Sequence, residues 1–152
     1  MLYRNLGNGH FTDVSELAGP GILEKVSGRG CATGDFDNDG DIDVVVNCVN
    51  DVPQLLRCDN ANGNKWIKIK CVGTKSNRSG IGARVYCVTG KRKQMDEVRS
   101  GGSYISQNDL RVHFGLGKAD TADIEIRWPS GVVQALPGLA ANKIHTVIED
   151  KA

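Results

Sequence analysis

No apolar run in this 152-residue chain approaches the ~20 residues of a membrane-spanning helix, so membrane insertion is not expected. The opening Met1-Leu2-Tyr3-Arg4-Asn5 is followed by no apolar h-region, so it does not read as a signal peptide. No C-x-x-C pair occurs among the five cysteines, which argues against a zinc site. Their odd number rules out a complete disulfide framework within one chain, and small buried hydrophobes are the simplest reading. Cys31 and Cys48 flank one loop on the two strands it joins, which makes them the one pair placed for a disulfide. Long amphipathic helices are also missing, and the hydrophobic pattern has a period of two.

Catalytic signals are equally thin. His10, His113 and His145 are dispersed and have no recognisable partners. Ser103 lacks a nucleophile-elbow pattern. The segments Ser79-Gly80-Ile81-Gly82 and Ser100-Gly101-Gly102-Ser103 lack the strand–loop–helix setting of a phosphate cradle, so they read as turns or bulges. No catalytic residue is assigned. A polar set, Ser103, Gln107, Asn108 and Asp109, is all that would support a hydrolytic or carbohydrate-active site, and Asp109 with Arg111 also reads as a structural ion pair.

What is present begins with acid. Asp35-Phe36-Asp37-Asn38-Asp39-Gly40-Asp41-Ile42-Asp43 places aspartates at loop positions 1, 3, 5, 7 and 9, with glycine at 6. Carboxylates this close repel unless a cation sits among them, and hard oxygen ligands select a hard cation such as Ca2+. Asp35, Asp37, Asp39 and Asp43 would contribute side chains, and Asp41 its carbonyl. An EF-hand opens the same way but needs Glu at position 12 and a following helix. Position 12 is Val46, within the β-branched run Val44-Val45-Val46, so the loop joins two strands instead. The bland alternative is a solvated acidic turn.

Charge is unevenly spread. Residues 1–64 carry four basic and ten acidic groups, net −6, and residues 65–152 carry fifteen and eight, net +7. Two units are expected, 1–63 and 64–152. Short strands are expected at Leu2–Asn5 and Phe11–Asp13 around an Asn-Gly turn, then one helical turn at 15–18 and loop over 22–30. The acid loop lies between strands 31–34 and 43–49, and a third strand follows at 54–58. From Asn64 onward Ile67, Ile69 and Cys71 alternate with Lys68 and Lys70, the pattern of a half-buried strand. Strands at 83–87, 91–99, 111–114, 124–128, 132–136 and 144–148 complete an all-β module, a small sandwich or barrel.

Two resemblances are specific. Gly34–Val44, with Leu2-Tyr3-Arg4-Asn5 and Gly7-Asn8-Gly9-His10-Phe11-Thr12-Asp13-Val14, resembles an FG-GAP/VCBS repeat, a blade of integrin-type propellers with a calcium loop. Val72–Ala83, Val98–Tyr104, Ser106–Asp109, His113–Gly117 and Arg127-Trp128-Pro129-Ser130-Gly131 resemble an ASPIC/UnbV domain. The expected architecture is therefore a partial propeller blade plus a small β-sandwich or barrel. The resemblance implies an extracellular or periplasmic, calcium-dependent protein, animal or bacterial, with no known catalysis.

Three functions remain in competition: a calcium-stabilised binding or adhesion module, a fragment of a hydrolytic or carbohydrate-active protein, and a truncated structural remnant of a secreted propeller. Residues 65–93 contain nine Lys or Arg and no acid, including Lys91, Arg92 and Lys93. That segment fits an acidic polysaccharide or an acidic protein face, or else is a solvated strand face. No motif for nucleic acid accompanies it. A lone blade leaves Tyr3, Leu6 and Phe11 without packing partners, so self-association as a dimer is expected.

Overall fold

The computed structural model describes residues 1–59 and 62–151. Its C-terminal part is an open sandwich of two sheets. One sheet has the order β11-β10-β7-β8, from Val133–Ala140, Thr121–Arg127, Arg84–Thr89 and Arg92–Glu97. The other has the order β12-β6-β9, from Lys143–Ile148, Lys65–Val72 and Val112–Gly117. Alternation produces the core directly: Ile67 and Ile69 of β6, Val85 and Cys87 of β7, Phe114 and Leu116 of β9, and Ile124 and Ile126 of β10 all point between the sheets. Each such aliphatic side chain contributes roughly 1.5–3 kcal/mol by leaving water. Trp128 closes the cluster, and its indole NH donates to Gln134 Oε1 at 3.1 Å.

The N-terminal part is a second, thinner assembly. Strands β3 (Gly28–Gly34), β4 (Asp43–Cys48) and β5 (Gln54–Leu56) form an antiparallel sheet in that order. A separate hairpin, β1 (Tyr3–Asn5) with β2 (Phe11–Asp13), pairs only with itself among the described residues. Its connection is a five-residue loop closed by Leu6 N–H donating to His10 O at 2.9 Å, rather than a two-residue Asn-Gly turn. Asn5 and Asn8 side chains accept from Gly7 and His10 amides and shape that loop.

The chain is thus all-β, a partial blade followed by a sandwich, and among the described residues no sheet closes into a barrel. Some local expectations need correction. Pro20–Leu23 forms a short helical turn, with Pro20 at a position where its missing N–H costs nothing. Strand β3 begins at Gly28, in what reads as loop. Strand β11 runs through Pro137 because it is an edge strand, where a missing donor is tolerated. The Cys31–Cys48 pair does not form: Cys31 lies opposite Val46 and Cys48 opposite Gly28, with a bulge between, and both are free thiols.

Candidate functional site: the acid loop on the sandwich

The acid loop connects β3 to β4, whose pairing of Gly34 with Asp43 closes its base. Asn38 at φ 61° and Gly40 at φ 101° give the reversals that turn the carboxylates inward. Asp35 is buried. Its Oδ1 accepts the amide of Asp39 at 3.1 Å, and its Oδ2 accepts the amide of Gly40 at 2.8 Å. Asp39 Oδ1 accepts the Asp41 amide at 2.8 Å. One carboxylate oxygen from each of Asp35, Asp37 and Asp39 lies within 4.8 Å of the others, and Asp37 and Asp39 are exposed. Three hard oxygens at this spacing fit the reach of one calcium ion at 2.3–2.6 Å from each. Asp43 is buried at the strand end. Its two oxygens accept the amides of Phe36 at 3.0 Å and Cys58 at 2.9 Å, and each keeps a second lone pair.

The sandwich forms the floor of this loop. Trp66 and Lys68 lie on the face of β6 opposite Ile67 and Ile69, and His113 of β9 pairs in register with Lys68. Gly40 rests on the Trp66 ring so closely that any Cβ there would overlap it. His113 Nε2 donates to Gly40 O at 2.9 Å and stacks on Trp66, with ring centroids 6.4 Å apart. Burial holds the His113 imidazole below its usual range, which keeps it neutral. Lys68 is buried, and its ammonium donates to Asp35 Oδ2. Burial alone would push the Asp35 carboxyl upward, but the Lys68 ammonium and the Gly40 amide outweigh it and hold Asp35 low.

Arg111 clamps the loop's other side. It donates to Asp109 Oδ2 at 2.7 Å, Asn38 Oδ1 at 2.7 Å and the carbonyl of Asp35 at 3.2 Å. Burial pushes the Asp109 carboxyl up, yet the bonds from Arg111 more than offset it, and Asp109 stays ionised. The polar set Ser103, Gln107, Asn108 and Asp109 therefore does not converge as an acid–base site. Asn108 Oδ1 accepts the Thr33 amide at 3.0 Å, and Asp109 N–H donates to Thr33 O at 2.9 Å. Gln107 accepts from Gly101 N and donates to the carbonyls of Arg99 and Asn108. Ser103 Oγ meets the Cys31 thiol at 3.7 Å. Ser103, Asn108 and Asp109 thus fasten strand β3 to the sandwich, and Gln107 braces the segment that carries them. A cavity of about 310 Å³ between the parts is lined by Lys68, Asp96, Arg99, Asp109 and Arg111, whose charges are matched: Lys68 with Asp35, Asp96 with Arg99, Asp109 with Arg111.

Sequence reasoning passes over Trp66, and it reads Lys68 only as an alternating strand residue and His113 only as a histidine without partners. Alternation puts Lys68 on the correct face of β6. Nothing local shows that the face is covered. Lys91, Arg92 and Lys93 are exposed at the β7–β8 hairpin. The Lys93 ammonium lies 4.8 Å from the Tyr86 ring centroid, and the Arg127 guanidinium 4.9 Å from it.

A blade-type acid loop seated on a seven-stranded open sandwich defines an FG-GAP-type module joined to a second β domain. The sequence matches ASPIC and UnbV over residues 73–152 and the FG-GAP-like repeat over residues 1–46. The chain belongs to the ASPIC and UnbV family. It is 28% identical over 154 residues to cartilage acidic protein 1 of Homo sapiens, covering 97% of this chain and 23% of that protein. Cartilage acidic protein 1 of Xenopus tropicalis is 29% identical over 146 residues, covering 92% and 22%. The chain thus spans under a quarter of the length of these animal relatives. FG-GAP repeats generally bind calcium, and the Asp35–Asp37–Asp39 cluster lies inside the matched repeat. Among the described residues, no helix is long and apolar enough to cross a membrane.

Proposed function

We propose that this chain is a calcium-binding, non-catalytic binding or adhesion module of an extracellular protein. The observation that carries the reading is the gathering of Asp35, Asp37 and Asp39 oxygens within 4.8 Å on a loop fixed by the sandwich. The Asp41 carbonyl and Asp43 complete the proposed ligand set. The matched polar groups at residues 103–109 favour this reading over a hydrolase. An ion that binds only the folded chain at a hundredfold excess over its Kd stabilises it by ~2.7 kcal/mol. Chelator should therefore lower the melting temperature, and calcium should restore it. Asp39→Ala should abolish the restoration, and Asp41→Ala should weaken it less. A melt indifferent to both chelator and calcium sinks the reading.

Two partner proposals accompany it. The exposed Lys91, Arg92 and Lys93 support weak, salt-sensitive binding of an acidic polysaccharide or acidic protein face. Heparin retention at low salt should fall when all three become Ala, and equal retention by both chains refutes the assignment. The second is self-association. Tyr3, Leu6 and Phe11 remain 53%, 53% and 62% exposed on a hairpin that pairs with no other strand among the described residues, which suits a second copy in a twofold dimer. Light scattering after size exclusion at tens of micromolar should give twice the chain mass, and a monomer there rejects it.

A further inference from the structure

A lysine deep in a β-sheet is costly unless its ammonium is paired. Lys68 is 1% exposed and meets Asp35, also 1% exposed, while its ammonium lies 5.3 Å from the centroid of the Trp66 ring. Asp35 is at once the first residue of the acid loop, a member of the three-carboxylate cluster and the partner of Lys68. A fixed positive charge supplied by the sandwich therefore stands where a divalent ion would claim the same carboxylate. The neighbouring guanidinium of Arg111 is matched by Asp109 and reaches the loop through Asn38 and the Asp35 carbonyl, so among the described residues Lys68 alone forms an ion pair with a carboxylate of the cluster. Two cations on one carboxylate repel strongly at a few ångströms in a partly desolvated site.

We propose that Lys68 is a built-in counter-cation of the acid loop: it holds the loop on the sandwich without calcium and weakens calcium affinity by sharing Asp35. This rests on the calcium reading above. By linkage the two cations oppose each other, and removing one strengthens the other by the coupling between them, roughly 5- to 150-fold for ordinary coupled sites. A merely structural lysine has the opposite signature, because its loss would loosen the loop and weaken the ion.

The test is calcium titration into the chelator-stripped 152-residue chain, followed by calorimetry and by melting, for wild type, Lys68→Met, Lys68→Gln and Lys68→Arg. Lys68→Met and Lys68→Gln should melt lower than wild type in chelator, bind calcium more tightly within that 5- to 150-fold range, and gain more melting temperature from it. Lys68→Arg keeps the charge and should bind as wild type does. If wild type binds calcium and the neutral variants bind it equally or more weakly, the counter-cation proposal is overturned and the calcium reading stands. If wild type shows no binding while the neutral variants bind, the proposal holds in its strongest form and the calcium reading fails for the native chain. Binding by none of them overturns both. One measurement needs no neutral variant to fold. The 15N resonance of the wild-type Lys68 ammonium, assigned by its loss in Lys68→Arg, should move on saturation with calcium, and an unmoved resonance in a chain that binds calcium overturns the sharing of Asp35.

Discussion

Gly40→Ala should lift the acid loop off the sandwich. Gly40 has φ 101°, where an L side chain costs ~1–3 kcal/mol. The added Cβ would also overlap Nε1 and two carbons of the Trp66 indole, a rigid ring held in turn by its stack with His113. Overpacking of this kind adds roughly 1–3 kcal/mol where neighbours can shift at all. The carbonyl that accepts from His113 and the amide that donates to Asp35 belong to this same residue, so both bonds move with it. The expected result is a total loss of roughly 2–6 kcal/mol, a red-shifted tryptophan emission and reduced calcium affinity. Gly90→Ala is the control: it has φ 57° with nothing within 4 Å of an added Cβ, so only backbone strain applies. If Gly40→Ala melts and fluoresces as Gly90→Ala does, the close seating of the loop on Trp66 is wrong.

The same contact shows why parts of this molecule could be read from sequence and others could not. Ile67, Ile69 and Cys71, then Val85 and Cys87, then Ile124 and Ile126 announce their strands through a period of two, and those residues form the core. The spacing of aspartates and the valines after them also marked a strand-linking acid loop, and β4 does follow it. Partners distant in sequence left no such trace. Lys68 is 33 residues from Asp35, and an alternating lysine ordinarily means water. The parallel pairing of β12 with β6 joins Lys143 to Ile67, a register that no local pattern reports. Strand β3 starts with Gly28-Arg29-Gly30, which has little β-propensity of its own. Tertiary contact decides it instead: a Cβ at Gly30 would come within 2.5 Å of the Tyr104 carbonyl and of Ser106 Oγ. Glycine is required there so that the blade strand can approach the sandwich, at the cost of the local signal.

Replacing Glu149 should do comparable damage at the other end of the sandwich. Glu149 follows β12 and is buried, and its amide continues the pairing with β6 by donating to Val72 O at 2.9 Å. Its Oε2 collects the amides of Thr74, Lys75 and Ser76 at 2.8, 2.9 and 2.8 Å. Its Oε1 accepts Ser76 Oγ at 2.9 Å and the hydroxyl of Ser130. One carboxylate thus ties the turn after β6 and the Pro129-Ser130-Gly131 turn to the last strand. Both turns lie in the segments that carried the ASPIC/UnbV resemblance. Burial would raise this carboxyl, but the bonds from Ser130, Ser76 and Thr74 dominate and push it down to about 2 from an ordinary 4.5. A carboxyl lowered on folding contributes stability that is fully present above pH 4.5 and is lost as pH falls towards about 2. Glu149→Gln keeps the shape but removes the charge, and it sets an NH2 donor against groups that are themselves donors. At pH 7 the variant should melt well below wild type. The gap should narrow steadily as the pH drops from 4.5 towards 2. Melting curves of both chains across that range decide it: a gap independent of pH would show that Glu149 acts through shape alone, and no gap at pH 7 would show that the three amides do not need a carboxylate.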